Sequence, residues 1–185
     1  LIKEKDEFAK NKSGVAKEKT SIISGKTSNQ LGIPKNPFSK FDVELAKLEK
    51  EIPSGNDWIF EIKYDGYRII ANIENGKVKL YTRNFLDYTK KFPVIVQQLS
   101  NQFSAKSVIL DGEIVCPDEK GRSDFGALQS YLKNSSGNEV SYMIFDILAL
   151  DGKDLRTLPL LERKKLLTNV LKGAKGNLKE SEYVR

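Results

Sequence analysis

The spacing of apolar and polar residues changes character near residue 40. Residues 1–40 show no sustained apolar period and are rich in Lys, Ser, Gly, Thr and Asn. That composition is typical of a flexible linker, because it offers too little apolar surface to bury in a core. From residue 41 onward, apolar residues recur at strand-like or helix-like spacing. We therefore predict a flexible arm over residues 1–40 and a folded domain over residues 41–185.

Four segments have the apolar spacing of amphipathic helices. The first, FDVELAKLEKEI, places Phe41, Leu45 and Leu48 on one side. Ser39 is its expected N-cap, and Pro53 is its expected end. The other three segments are PVIVQQLSNQF, FGALQSYLK and LPLLERKKLLTNVL, the last of which is opened by a proline and followed by a glycine.

Strand-like runs occupy most of the remaining domain. DWIFEIKY, YRIIANI and KVKLYTR are separated by Asp65-Gly66 and Asn75-Gly76, dipeptides that are favoured in tight hairpin turns. We predict three antiparallel strands joined by these turns. SVILDGEIV and VSYMIFDILAL are apolar almost throughout, which favours central positions in a sheet. Consecutive hairpins with helices clustered between later strands indicate an α+β fold rather than alternating βαβ units.

The composition excludes several kinds of catalytic site. The 185 residues contain no His and one Cys, so a Ser-His-Asp triad, a Cys-His pair, a His-ligated zinc and an internal disulfide are ruled out. Acid–base or nucleophilic chemistry must then use carboxylates, Lys, Tyr or Ser. There is no P-loop and no G-x-G-x-x-G motif, so any nucleotide would be held differently. No apolar run approaches the ~18 residues of a membrane span.

The net charge of +6 lies almost wholly in the arm. Residues 1–40 contain nine Lys and four acidic residues, whereas the rest contains 22 basic and 21 acidic residues. The arm could touch nucleic-acid phosphates or be only a solvated linker, and the sequence favours the linker. The chain opens on Leu and has no signal-like apolar segment, so we expect an excised or processed piece of an intracellular protein.

The alternation of side chains along the first strand draws attention to Lys63. Four large apolar side chains point one way, and Glu61 and Lys63 point the other. A lysine at a strand end beside a tight turn can act as a nucleophile if nearby cations or partial burial lower its pKa. The alternative is an exposed Glu61–Lys63 ion pair worth well under about 1 kcal/mol. The strand taken alone favours the ion pair.

Acidic residues stand out on two later strands. Asp111 and Glu113 share one face of SVILDGEIV and could hold Mg²⁺ or a ribose, or could simply be solvated at a hairpin rim. In YMIFDILAL, Phe145 and Asp146 point to opposite faces. Phe145 could stack on a base, although an aromatic residue in such a strand usually belongs to the core. Asp146 needs a partner or water, because an unpaired buried charge is costly.

Together these segments resemble one superfamily. EIKYDGYR resembles the Lys-x-Asp-Gly-x-Arg signature of the covalent nucleotidyltransferases, which include ATP-dependent DNA ligases, RNA ligases and mRNA capping enzymes. TRN at 82–84, LDGEIV at 110–115 and YMIFDIL at 142–148 look like the next motifs in the same order. WIFEIKYDGYR, FGALQ and FDILALDGKDLRTLPLLERKKLL are similar to the ligase domain of bacterial ligase D, the end-joining enzyme.

This resemblance implies an ATP-grasp-like adenylation fold of antiparallel sheets flanked by helices. It implies a DNA ligase that uses ATP and Mg²⁺ or Mn²⁺ and seals nicked or broken double-stranded DNA during end joining. The implied setting is the bacterial cytoplasm at the nucleoid, away from membranes, and the implied partners extend to Ku and to a polymerase or nuclease domain in the same chain. The alternatives are an RNA ligase or capping-type enzyme, a non-catalytic DNA-binding fragment, and a degraded relic.

The resemblance also assigns roles in adenylation. Lys63 would attack the α-phosphorus of ATP, release pyrophosphate and become lysyl-AMP. Glu61 would contact the adenine edge, and Phe145 would stack on the adenine ring.

Four further residues receive phosphate, ribose or metal roles from the same resemblance. Arg68 and Arg83 would hold phosphate or ribose oxygens, and later the 5′-phosphate of the nick. Glu113 would bind the ribose hydroxyl or a metal ion, and Asp65 could join it as a metal ligand. The family continues with a Glu-Gly strand motif, a further lysine motif and an oligonucleotide-binding domain, none of which is present before Arg185. We therefore expect a truncated adenylation domain whose self-adenylation is weak or absent.

Overall fold

The structure, a computed structural model, describes residues 43–45, 48–53, 55, 58–103, 105, 107–134 and 139–185. Contacts within the chain divide it into two units, Leu1–Ser54 and Gly55–Arg185. The predicted arm over residues 1–40 lies outside the described residues, so the predicted boundary at residue 40 stays a prediction.

The helix predicted to start the folded part is not found in the described residues of the first unit. Residues 43–45 and 48–53 belong to neither a helix nor a strand. Leu45 and Leu48, the predicted apolar face, are 59% and 56% exposed. A short helix gains most of its stability by burying such a face, so these two leucines lack the packing that would stabilise it. Ser39 and Phe41, its other predicted residues, lie outside the described residues.

Within the described residues, eight strands, three α-helices and one turn of 3-10 helix at Thr89–Lys91 make up the second unit. The strands are β1 (Phe60–Glu61), β2 (Tyr67–Glu74), β3 (Lys77–Thr82), β4 (Ser107–Val115), β5 (Ser141–Leu150), β6 (Lys153–Asp154), β7 (Leu178–Glu180) and β8 (Tyr183–Val184). The helices are α1 (Pro93–Gln102), α2 (Phe125–Asn134) and α3 (Leu160–Leu171). The last three predicted helices and the α+β class are confirmed.

Six of these strands form one sheet in the order β3-β2-β4-β5-β6, and β7 also pairs with β5. All pairs are antiparallel except the parallel pair of β5 with β7. The apolar strands β4 and β5 are central, as predicted. Strands β1 and β8 form a separate two-stranded antiparallel sheet.

The hairpin between β2 and β3 forms at the predicted dipeptide. Asn75 and Gly76 have φ angles of 49° and 75°, and Glu74 pairs with Lys77 across the turn. Two consecutive residues with positive φ are what a two-residue hairpin loop of this hand requires. The turn is therefore set by local sequence.

The other predicted hairpin is wrong. Strand β1 pairs with β8, whereas β2 pairs with β3 and β4. Gly66 does not adopt a positive φ. Its backbone instead lies against β4, where an added Cβ would sit 2.1 Å from the Ile114 carbonyl oxygen. Glycine is needed here for close approach rather than for a turn.

The predicted apolar face of the first strand is also not buried. Trp58, Phe60 and Ile62 are 50%, 39% and 66% exposed. The strand itself is limited to Phe60–Glu61, because only those two residues find a partner in β8.

The core of the second unit is built from alternate positions of the large sheet and the inner faces of the helices. Helix α1 contacts β3 and β7, and helix α3 contacts β5 and β7. Core residues with no exposed surface include Ile69, Ile73, Leu80, Ile95, Leu99, Leu110, Ile114, Leu128, Tyr142, Ile144 and Leu167. This core fixes the strands that carry the candidate site. Among the described residues, no helix is long and apolar enough to cross a membrane.

Candidate active site

Lys63 lies in the short segment that links β1 to β2. Its side chain is exposed. The segment is held on one side by the pairing of β1 with β8 and on the other by the contact of Gly66 with β4. Lys63 is also close enough to Glu113 for its positive charge to favour the ionised carboxylate. The structure thus brings the candidate nucleophile to the acidic strand β4.

Glu113 is a half-buried carboxyl group with an unusual proton affinity. Burial raises its pKa to about 7, although the nearby Gly66 N–H and the charges of Arg68 and Lys63 oppose the shift. Desolvation disfavours the ionised form, and each of these donors or cations favours it. The group therefore titrates near neutral pH, and an added cation would favour its ionised form.

Arg68 faces Glu113 across the β2–β4 pair but forms its ion pair with Asp111. Its Nε and Nη2 donate to the two Asp111 carboxylate oxygens at 3.1 and 2.7 Å. The Asp111 side chain is nearly fully buried. Burial raises the pKa of Asp111, and the guanidinium opposes that rise. Asp111 therefore orients Arg68, instead of being a solvated rim residue.

Phe145 lies beside the same guanidinium. The Arg68 Cζ atom is 5.5 Å from the centre of the Phe145 ring, within the range of a cation–π contact. The ring is only half-buried, so Phe145 does not belong to the enclosed core. Part of the ring remains accessible, as base stacking requires.

Asp146, which was expected to need a partner in its apolar strand, is paired with Arg163. Its carboxylate accepts two hydrogen bonds from Arg163 on α3, both at 2.9 Å. Both side chains are buried, with 9% and 4% of their surface exposed. Arg163 also donates to the Leu158 carbonyl oxygen at 2.7 Å. This pair attaches α3 to β5 directly behind Phe145.

Lys164, the next residue on α3, reaches the candidate site and was missed by the sequence reasoning. Its Nζ donates to Glu61 Oε1 and, at 2.7 Å, to the Phe145 carbonyl oxygen. Glu61 therefore pairs with Lys164, and among the ion pairs of the described residues there is none between Glu61 and Lys63. A signal was present in the sequence: Lys164 falls on the helix stripe of Leu160, Leu167 and Leu171, where an apolar residue is expected.

Arg83 and Asp65 are the remaining two predicted site residues. Both are exposed, Arg83 after the end of β3 and Asp65 just before Gly66. Across the described part of the chain, no hydrogen bond or ion pair joins either of them to the other predicted site residues. Nor do the described residues contain a group of three or more Cys, Asp or Glu side chains able to hold a metal ion.

The comparisons with known proteins agree with these motifs. The sequence model of the family described as the ATP dependent DNA ligase domain matches residues 39–185. The chain belongs to the ATP-dependent DNA ligase family. Its resemblance to that family is thereby confirmed, and the ligase motifs span β1 to β5.

Several relatives of this chain are bacterial end-joining proteins. The multifunctional non-homologous end joining protein LigD of Pseudomonas aeruginosa is 42% identical over 130 residues, which are 70% of this chain and 15% of that protein. The ligase domain of Mycobacterium tuberculosis LigD has a similar structure, with a TM-score of 0.56 and 28% identity over 69% of this chain and 40% of that one. A mycobacterial DNA ligase D solved as a complex with ATP and MES gives a TM-score of 0.55 and 29% identity, with the same coverage. The chain thus spans less than half of each of these three proteins.

Proposed function

We propose that this ligase chain is adenylated by ATP on Lys63 during DNA end joining. The Lys63 amine attacks the α-phosphorus of ATP, a P–N bond forms, and the bond to the β-phosphate breaks. Pyrophosphate leaves with that electron pair, and the amine loses its proton to solvent. The observation that carries the proposal is the location of Lys63, exposed on a segment fixed between β8 and β4 and close to Glu113.

The electrostatics around Lys63 support phosphoryl chemistry. Transfer of a nucleotidyl group places several negative charges near the lysine, and fixed cations lower the barrier by stabilising them. Arg68 is half-buried and oriented by Asp111, so it can meet phosphate or ribose oxygens without reorganising. Arg83, which is exposed after β3, is our proposed second phosphate contact.

Adenine recognition is assigned to Glu61 and Phe145. The Glu61 carboxylate can accept a hydrogen bond from the 6-amino group, and the accessible part of the Phe145 ring can stack on the base. Both residues meet at Lys164, which donates to the Glu61 side chain and to the Phe145 main chain. One adenine could therefore contact both.

Glu113 and Asp65 are our proposed ligands for Mg²⁺ or Mn²⁺. Two carboxylates suit Mg²⁺, which commonly takes one or two protein oxygens together with substrate phosphates and water. A half-buried carboxyl with a pKa of about 7 also fits a cation site, because a bound cation would ionise it. When bound, the cation neutralises charge on the triphosphate.

After adenylation, we propose that AMP passes to a DNA 5′-phosphate and that a 3′-hydroxyl displaces it to seal the strand. The names of the LigD relatives support end joining as the setting. Ku and a polymerase or nuclease domain are the partners that this setting suggests. It also suggests the bacterial nucleoid as the place of action.

The test is transfer of radiolabel from α-³²P-ATP to the chain in the presence of Mn²⁺ or Mg²⁺. We expect weak but measurable acid-labile label on the wild-type chain, no label on Lys63→Ala, and label equal to the wild type on the control Lys77→Ala, which replaces an exposed lysine on β3. Labelling by GTP in preference to ATP would instead indicate a capping-type enzyme. Absence of label from the wild-type chain, or label that persists in Lys63→Ala, would contradict the proposal.

A further inference from the structure

We propose that Lys164 is a positioning residue that sets the preference for a 6-aminopurine base, acting through Glu61. The inference rests on the proposed function, because it deepens the role given there to Glu61 and Phe145. It concerns a helix residue that lies outside the strand motifs.

Lys164 is a buried lysine whose ammonium group is paired. Only 1% of its side-chain surface is exposed, although the residue lies on a helix stripe made otherwise of leucines. A lysine ammonium has three protons to donate and is costly to bury without partners. Two protons are taken by Glu61 Oε1 and the Phe145 carbonyl oxygen. The ammonium also lies 5.7 Å from the centre of the Tyr183 ring on β8.

These contacts join the two strands proposed to hold the base, β1 and β5, to β8. Glu61 lies on β1, Phe145 on β5 and Tyr183 on β8, opposite Glu61 in the small sheet. A single ammonium at their junction therefore fixes the distance between the carboxylate and the aromatic ring. Because two of the three contacts are charge-assisted hydrogen bonds, they are stronger and more directional than neutral ones.

The contact with Lys164 also determines which Glu61 oxygen is available. Oε1 is occupied by Lys164, and within the described residues Oε2 accepts no hydrogen bond. The Glu61 side chain is 28% exposed, so an incoming donor can reach Oε2. The 6-amino group of adenine donates, whereas the 6-oxo group of guanine accepts and would face a carboxylate. Holding Oε1 therefore turns Glu61 into an acceptor with one defined direction.

The neighbouring Arg163 shows what a purely structural pair looks like on the same helix. Arg163 and Asp146 are both buried and neither needs to meet solvent. The Lys164–Glu61 pair is different, since its acidic member stays at the surface beside Lys63. A pair with one buried and one accessible member is suited to presenting the accessible group.

The experiment compares equilibrium binding of ATP and of purine riboside triphosphate, which lacks the 6-amino group. A hydrogen bond to a charged group is worth about 1.5–3 kcal/mol, so we expect the wild-type chain to bind ATP at least roughly tenfold more tightly. Lys164→Met should reduce that preference to less than about threefold. Lys164→Arg, which retains a charged donor, should preserve most of it. The matched control is Lys165→Met, at the exposed next position, which should bind like the wild type.

A structural role alone would lower thermal stability and leave the ratio of the two affinities unchanged. Melting of each variant is therefore measured beside binding. If Lys164→Met does not melt cooperatively, Lys164→Gln replaces it, because glutamine still offers a donor to the Phe145 carbonyl. In a Glu61→Ala background, the Lys164 substitution should change the ratio no further, as expected for a residue that acts through Glu61.

An unchanged ratio in a folded Lys164→Met or Lys164→Gln variant would overturn the inference. A further drop of the ratio in the Glu61→Ala background would overturn it as well. The proposed function is read separately, from radiolabel on Lys63. If the wild type is labelled on Lys63 but the Lys164 variants keep the wild-type ratio of affinities, only the inference about Lys164 is refuted. If the Lys164 variants lose the preference for ATP but the wild type is never labelled, only the proposed adenylation is refuted. A wild-type chain that binds neither nucleotide contradicts both.

Discussion

The substitution Gly66→Ala should push the segment that carries Lys63 away from strand β4, because it adds a methyl group where the two backbones are in close contact. An ideal Cβ on Gly66 would lie 2.1 Å from the Ile114 carbonyl oxygen and 2.9 Å from a Val115 methyl carbon. Ordinary contacts begin at 3.4 Å, so Gly66→Ala must move the two backbones apart by about 1.3 Å. The obstacle is a strand at the centre of the sheet, which cannot move aside.

The magnitude of this effect follows from two terms. Overpacking a rigid site costs about 1–3 kcal/mol. Separation also moves the Gly66 N–H away from the Glu113 carboxylate that it stabilises, a further loss of up to about 1 kcal/mol. We therefore expect Gly66→Ala to lower the free energy of unfolding by about 3 kcal/mol. Because displacement of about 1 Å can slow catalysis about 100-fold, labelling of Lys63 should fall by a comparable factor.

The assay is urea unfolding of the wild-type chain, Gly66→Ala and a control, Gly121→Ala. Gly121 has a φ of +77° and open space around its Cβ position, so its replacement tests backbone strain without a clash. The control should lose about 1 kcal/mol. If Gly66→Ala unfolds at the wild-type midpoint, or loses no more than the control, the close approach of Gly66 to β4 is not required and the reasoning fails.

Three further predictions concern the groups around the site. Asp146→Ala leaves Arg163 buried without its carboxylate and should cost about 4 kcal/mol in urea unfolding, whereas Lys79→Met, which removes an exposed ion pair, should cost less than about 1 kcal/mol; equal losses would contradict this. The pKa of Glu113 is raised to about 7, so the folded state favours the protonated form, and its contribution to stability is present below its ordinary pKa and lost as the pH rises through 7. Without metal, melting temperatures at pH 5 and pH 8 should therefore differ more for the wild type than for Glu113→Gln, and identical differences would show that Glu113 does not titrate in this way. Tyr142→Phe removes a buried hydroxyl that donates to a main-chain carbonyl oxygen at 2.8 Å, so it should lower the free energy of unfolding by about 1 kcal/mol. An unchanged midpoint in urea unfolding would contradict this prediction.

Local chemistry explains which elements could be predicted from the sequence. Asn75-Gly76 prescribes its own left-handed backbone, so the hairpin it forms needs no information from elsewhere in the chain. Asp65-Gly66 has the same appearance, but the conformation of Gly66 is set by Ile114 on β4. A dipeptide pattern cannot distinguish a glycine that turns from a glycine that allows close approach.

In the candidate site, too, some residues could be predicted from the sequence and others depend on the tertiary structure. Lys63 and Glu61 could be picked out because they alternate with apolar residues in the sequence, although only Glu61 lies in the strand β1. The partner of Glu61 could not, since Lys164 lies 103 residues further along the chain on a helix. The location of Arg68 opposite Glu113, and its pairing with Asp111, depend on the register of β2 against β4. No pattern within either strand determines that register.

The helix around Leu45 and Leu48 was predicted from the sequence but is not found in the described residues. Its spacing is helical, yet both leucines are largely exposed. Apolar periodicity predicts a helix only where another surface buries the apolar stripe, as the core does for Leu167 and Leu171 on α3.

The central claim is that Lys63 carries AMP, and peptide mapping tests it most directly. Trypsin normally cleaves after Lys63, but a lysine joined to AMP is not cleaved, so the adenylated chain should yield the peptide 51–68. After incubation with ATP and Mn²⁺, we expect AMP on that peptide at Lys63. AMP on a different residue, or a peptide that is cleaved after Lys63 and carries no AMP in any fraction, would contradict the claim.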